Sequence, residues 1–204
     1  MDELTEDIIS TEIAGTLDGL MVQRVKRTPD NIAYRSFDAD SKSWRDTRWS
    51  EVGEQIARWQ AALAAEDLLP GERVAVHLRN SKEWVLFDQA ALACGLVIVP
   101  LYTDDRPDNI AYIMSDSAVK VLLVQDAAVW KRLGPALAGQ EDLQRVLILD
   151  GSRSGTTEVL QDTRVRLVSD WLPTAAPPLH QRNGDPYALA SIVYTSGTTG
   201  RPKG

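Results

Sequence analysis

The last ten residues place three glycines, four hydroxyls and a lysine within reach of one another: Thr195, Ser196, Gly197, Thr198, Thr199, Gly200, Arg201, Pro202, Lys203 and Gly204. Such a set suits anions. Gly197 and Gly200 remove Cβ atoms, so successive backbone N–H groups can turn toward one concave point and hold phosphate oxygens. The hydroxyls of Thr195, Ser196, Thr198 and Thr199 add donors, and Lys203 adds a positive charge on a flexible stem. Pro202 biases Arg201 toward an extended backbone and limits collapse of the tip. The combination reads as a polyphosphate clamp, although a solvated Ser/Thr/Gly linker has the same composition and stays open at this level. The common P-loop does not fit, because Gly197 and Gly200 are three apart and Lys203 precedes Gly204. A dinucleotide fingerprint does not fit either, because it follows the first strand of its unit.

Other reactive side chains are scattered. His77 falls in an apolar alternating stretch, Cys94 near an expected helix end and His180 in a polar loop, so core or surface roles outrank a Cys/His pair. With two histidines and one cysteine in 204 residues, neither a zinc finger nor an internal disulfide can be built. Trp59 and Trp84 sit on apolar helical stripes and read as packing. The pairs Asp104-Asp105 and Glu141-Asp142 read as solvated loop charges, since metal ligands converge from separated positions. No catalytic residue and no metal ligand is assigned.

The chain carries 22 Lys and Arg against 29 Asp and Glu, a formal charge of −7. That balance argues against nucleic acid, which needs clustered cations to neutralise phosphates. The acidic residues 1–10 lack the basic and apolar regions of a secretory leader, which points to a cytoplasmic protein. The longest apolar run, 90–102, is interrupted by Gly95 and Pro100 and falls short of the roughly 20 residues a membrane span needs. No transmembrane segment is expected; peripheral membrane contact is left open.

Upstream elements must position the loop. Leu17, Leu20, Met21 and Val25 predict a helix over 16–28, and 32–37 with 43–48 predict a hairpin. Ser50 reads as the N-cap of a helix ending near Pro70-Gly71. From there strand and helix alternate: strands at 74–78, 96–99, 119–124 and 146–149, and helices after Asn80-Ser81, Pro107 and Asp126. Residues 151–157 read as a loop and 164–168 as a further strand, and 173–186 is rich in Pro, Asn and Gly. Residues 188–194 predict a last strand that runs into the glycine-rich loop. Repeated βαβ units imply an α/β fold with a mainly parallel sheet and helices on both faces. A strand and loop of this kind ordinarily hand on to another element, so the sequence is expected to be an incomplete piece of a longer one.

The order of residues 194–204 resembles the phosphate-loop signature of the AMP-forming adenylating enzymes, which include acyl-CoA synthetases, luciferases and peptide-synthetase adenylation domains. Upstream segments resemble successive parts of that family's amino-terminal domain: Asp30-Asn31-Ile32-Ala33-Tyr34, Trp49-Ser50-Glu51-Val52, the stretch 70–76, Asn80-Ser81-Lys82-Glu83-Trp84 and the stretch 95–102. The run Val99-Pro100-Leu101-Tyr102-Thr103-Asp104-Asp105 is most similar to bacterial long-chain fatty acid CoA ligases. The resemblance implies a 15-residue amino-terminal extension, 1–15, and a partial AMP-binding domain, 16–204, truncated after the loop. It implies ATP, Mg2+ and coenzyme A as cofactors, a fatty acid as substrate of the full-length parent, and a nucleotide site made of Thr195, Ser196, Gly197, Thr198, Thr199, Gly200 and Lys203. The family's adenine, ribose, metal and hinge residues lie downstream, so the 204-residue piece alone is expected to be inactive. Another adenylating enzyme, acting on short-chain, aromatic or amino acids, and a non-catalytic scaffold of the same fold are the alternatives.

Overall fold

A computed structural model describes residues 7–38, 41–152, 155–182, 184–195 and 201–204. A single turn, α1 (Thr11–Ala14), leads into α2 (Leu17–Arg27), which opens where Thr16 Oγ1 accepts from Gly19 N at 3.2 Å. β1 (Ile32–Asp38) and β2 (Ser43–Arg48) form the expected antiparallel hairpin. The next helix, α3 (Trp49–Ala64), begins earlier than Ser50. Its N-cap is Arg48, whose backbone N–H donates to Glu51 Oε2 at 2.6 Å. The carboxylate three residues on, rather than the serine hydroxyl, satisfies the first orphan donor.

The alternating part follows as β3 (Arg73–His77), α4 (Lys82–Ala93), β4 (Val97–Pro100), α5 (Pro107–Asp116), β5 (Val119–Asp126), α6 (Ala127–Leu137) and β6 (Arg145–Asp150). Ser81 caps α4 through Trp84 N at 3.2 Å, and Asp126 caps α6 through Val129 N at 3.0 Å. The loop expected over 151–157 is corrected at its end, where Thr156 and Thr157 open the short helix α7 (Thr156–Val159). β7 (Val165–Leu167) and α8 (Val168–Trp171) complete the alternation.

The five strands lie in the order β4-β3-β5-β6-β7, all parallel, with Val74 beside Ile98 on one side and Val121 on the other. Pleating sorts the side chains. Val74, Val76, Val121 and Leu123 face α3 and α4, where they meet Ile56, Trp59 and Phe87. Ala75, Leu122 and Val124 face α5 and α6, where they meet Ile110, Met114 and Leu133. Each of these is essentially removed from water, a gain of roughly 1.5–3 kcal/mol for each large aliphatic side chain. No helix among the described residues is long and apolar enough to cross a membrane.

Residues 188–194 do not form the full strand expected. A single parallel bridge ties Ser191 to Ile98: Ile98 N donates to Ala190 O at 3.0 Å and Ile192 N to Ile98 O at 2.9 Å. Leu189 and Val193, on the alternate positions, stay exposed. One bonded register position against the short edge strand β4 is too little to define a ladder.

Candidate functional site

The connections leaving β3 and β4 run in opposite directions: the chain passes from β3 to β4 on one side and returns from β4 to β5 on the other. Such a reversal leaves a crevice outside the carboxyl ends of the strands, where open α/β sheets bind ligands. Into this crevice the last segment brings Tyr194, Thr195, Arg201 and Pro202. Together with Tyr102, Thr103, Asp104, Asp105 and Asn109 from the far end of β4 and the start of α5, they line a cavity of about 670 Å3. A neighbouring cavity of about 510 Å3 shares Tyr102 and Thr103 and is walled by Arg79, Trp84 and Val193.

Of the seven residues expected at the nucleotide site, Thr195 and Lys203 are described. Ser196, Gly197, Thr198, Thr199 and Gly200 lie outside the described residues. Thr195 and Lys203 face each other as an antiparallel pair: Thr195 N donates to Lys203 O at 2.9 Å and Lys203 N to Thr195 O at 3.0 Å. Two backbone bonds therefore close the base of the loop. Lys203 is exposed, and among the described residues no carboxylate pairs with its ammonium group, which leaves the charge available to an anion.

The two limbs of the loop rest on α5. Tyr194, only 5% exposed, donates its hydroxyl to Asp116 Oδ2 at 2.5 Å. Burial, reinforced by that hydrogen bond to a carboxylate, pushes its phenol up to about 12. On the other limb the Arg201 guanidinium lies 5.5 Å over the ring of Tyr112. Gly204 fits against the Tyr194 ring, where an added Cβ would come within 2.7 Å. The loop signature did not reveal Asp116 or Tyr112. A weak signal was present all the same, because a carboxylate at the last residue of a helix opposes the helix dipole and gains from a donor nearby.

The remaining singled-out residues stay apart from the loop. His77 is buried at the end of β3 with no partner for either ring nitrogen among the described residues, and burial lowers its pKa. Cys94 and His180 do come near one wall, a cavity of about 500 Å3 between α3, α4 and residues 177–182. Gln60 stands between them and takes up both. Its backbone oxygen accepts from Cys94 Sγ at 3.5 Å, and its amide donates to His180 O at 3.1 Å. Burial pushes the Cys94 thiol up to about 11, the reverse of nucleophile activation. Asp105 Oδ1 accepts from Arg106 N and Asn109 Nδ2, and Asp142 pairs with Lys120 at 2.5 Å. Trp59 packs edge-on against Phe87 and Trp171. Among the described residues no group of three or more His, Cys, Asp or Glu side chains is placed to hold a metal ion.

The chain is similar in sequence and in fold to known proteins. The family profile described as AMP-binding enzyme matches residues 21–204. A long-chain-fatty-acid–CoA ligase, FadD15 of Mycobacterium bovis, is 28% identical over 186 residues, covering 91% of this chain and 30% of that protein. The phosphinothricin tripeptide synthetase PhsB of Streptomyces viridochromogenes is 29% identical over 191 residues, covering 94% of this chain and 14% of that protein. The crystal structure of the anthranilate CoA ligase AuaEII with anthranoyl-AMP superposes with a TM-score of 0.77 at 20% identity, over 99% of this chain and 35% of that one. The chain thus spans a third or less of the length of the curated relatives named here.

Proposed function

The chain belongs to the AMP-binding enzyme family, and on that premise we propose that it is the amino-terminal part of an ATP-dependent long-chain fatty acyl-CoA synthetase. Residues 16–204 would form a partial AMP-binding domain that ends with the phosphate loop. In the proposed reaction a fatty carboxylate oxygen attacks the α-phosphorus of ATP, the bond to pyrophosphate breaks and an acyl-adenylate forms. The thiol of coenzyme A then attacks the acyl carbonyl and releases AMP. The single observation that supports the loop's part is the closed Thr195–Lys203 base, whose ammonium pairs with no carboxylate among the described residues, beside a crevice at the strand ends.

This chain's own share of the chemistry is electrostatic. Thr195, Ser196, Thr198 and Thr199 would donate hydroxyls and backbone N–H groups to the β- and γ-phosphates. Gly197 and Gly200 would allow the close approach, and Lys203 would balance the charge that builds on departing pyrophosphate. Mg2+ would enter with the triphosphate. The described residues offer it no cluster of ligands, so no step is assigned to it here. The fatty acid assignment draws on the resemblance of residues 99–105 and on the mycobacterial relative. The match to a peptide synthetase supports a second reading, activation of an amino acid.

ATP–pyrophosphate exchange by the complete protein, offered fatty, aromatic and amino acids in turn, tests both readings. Exchange with long-chain fatty acids is expected, with a fall on the order of a hundredfold on Lys203→Ala at subsaturating ATP. Unchanged exchange in that variant would overturn the loop assignment, and exchange with amino acids alone would favour the second reading. The 204-residue chain by itself is expected to form no palmitoyl-CoA from palmitate, ATP and coenzyme A.

A further inference from the structure

The contacts between α5 and the loop assign Asp116 a task that the phosphate-binding residues do not include. We infer that Asp116 is a positioning residue, which sets the phosphate loop through its hydrogen bond to Tyr194. The inference rests on the reading of the loop as a triphosphate site and adds a residue 79 positions upstream of Thr195.

Three observations support it. Asp116 is the last residue of α5, an exposed position where the helix dipole mildly disfavours a carboxylate and a hydrogen-bond donor offers compensation. The compensation is a 2.5 Å bond from the Tyr194 hydroxyl, short as charge-assisted bonds are. Tyr194 in turn directly precedes Thr195, whose two backbone bonds to Lys203 close the loop base. The phenol is held in one direction at its hydroxyl by Asp116 and flanked at its ring by Gly204, where no side chain fits. A rotation of Tyr194 would therefore move Thr195 and Lys203 together.

One turn earlier on the same face of α5, Tyr112 receives the Arg201 guanidinium from the opposite limb. The same helix grips both limbs. A loop meant to hold the charge of a leaving group gains from having its donors fixed before the charge appears, because reorganisation during the reaction is then avoided. The Tyr194–Asp116 bond joins a buried phenol to an exposed carboxylate at the helix end, so its Tyr194 side is shielded from water while its Asp116 side is not. Its loss should loosen the loop without unfolding the sheet, since neither residue contributes a large apolar side chain to the strand interfaces other than the Tyr194 ring, which phenylalanine retains.

The test uses the complete enzyme and steady-state exchange. Tyr194→Phe removes one oxygen and keeps the ring. It is expected to raise KM for ATP about tenfold, with KM for the carboxylate and the melting temperature unchanged. Asp116→Ala should do the same, and the double variant should be no worse than either single one, because both remove one bond. Asp116→Asn keeps an acceptor oxygen and should stay within about threefold of the parent. The inference is overturned if Tyr194→Phe leaves KM for ATP unchanged, if both KM values rise equally, or if the two losses add. Calorimetric titration with tripolyphosphate separates this inference from the reaction assigned above. If the parent protein exchanges pyrophosphate with no acid yet binds tripolyphosphate, the carboxylate-activation reading falls. The positioning role is then judged by whether the same variants weaken tripolyphosphate binding about tenfold. If the parent binds no tripolyphosphate, both fall.

Discussion

The centre of the sheet and its edge beyond β4 are built on different principles. In β3 and β5 every residue from Val74 to Val76 and from Val121 to Val124 is fully buried, bonded on both sides and covered by a helix on each face. At the edge, residues 187–195 join the sheet by a single bridge, and Tyr187, Leu189 and Val193 are exposed. The centre derives its geometry from many interchangeable apolar contacts. The edge takes its geometry from a few specific ones: one bridge, one Tyr–Asp bond and one arginine over a ring. Stability is concentrated where no chemistry is proposed, and the proposed chemistry sits where stability is thin, as strands and loops that meet ligands commonly do.

The contrast can be broken most directly at the centre. Leu122→Ala, which empties space between β5 and the helices α5 and α6, is expected to cost about 2–5 kcal/mol in urea unfolding. Val193→Thr at the exposed edge should change stability by less than about 0.5 kcal/mol. Comparable losses at the two positions would show that the edge is packed against something that adds as much as the core does.

A second, smaller effect concerns how the outer strands are anchored. Glu66, just beyond α3 and largely buried, accepts from Arg145 Nε at 2.9 and 3.0 Å and from Trp171 Nε1 at 2.6 Å. It thereby joins α3, β6 and α8 through polar contacts within an otherwise apolar face. Glu66→Ala leaves a guanidinium and an indole N–H short of their acceptor, at an expected cost of about 1–3 kcal/mol. Glu66→Gln should recover part of that loss by accepting from one of the two donors. Equal unfolding midpoints for all three proteins would show that water replaces the carboxylate without penalty.

Much of the centre was legible in the sequence. Continuous runs such as Val121, Leu122, Leu123 and Val124, short and set between helix signals, read as strands buried on both faces, and Ser81, Pro107 and Asp126 marked helix starts that the structure bears out. The start at Arg48 was not, because a hydroxyl and a carboxylate compete for the same orphan donors and only tertiary context decides between them. Residues 188–194 misled for a related reason. Their apolar run reads as a strand, but a strand also needs a partner edge, and β4 offers it only one register position. At the site, the loop signature was readable because its residues are consecutive. Asp116 and Tyr112 were not, since the contacts from α5 to residues 194 and 201 depend on a crossover that brings distant segments together.

The centre also holds a buried histidine that titrates. His77 is neutral in the fold because burial pushes its pKa below the ordinary 6.5, with the charge of Arg132 acting in the same direction and that of Asp104 against it. In the unfolded chain the imidazole takes up a proton as the pH falls through about 6.5, whereas in the fold it does so only at lower pH. The unfolded state therefore binds more protons in that window. Stability is fully present above about pH 6.5 and declines as the pH drops toward the folded value. His77→Met removes the titration along with two nitrogens that have no partner among the described residues, so its stability should fall less between pH 7 and 5.5 than that of the parent. Parallel slopes for the two proteins would mean that His77 has a hydrogen-bond partner in solution.

The smallest expected effect is chemical rather than energetic, and it tests whether the wall beside α4 shares the reactivity of an exposed surface. Cys94 is the C-cap of α4, partly buried, and its thiol is pushed up to about 11 by burial despite the opposing charge of Arg182. At pH 7.5 the thiolate fraction is then far below that of an ordinary thiol near 8.5, and alkylation by iodoacetamide should run on the order of a hundredfold slower than for a free thiol. In urea the rate should return to the ordinary value as the same residue becomes solvated. Labelling of the folded chain at the unfolded rate would place Cys94 in water, and would open the space between Gln60, His180 and residues 177–182 in a way the sheet centre never opens.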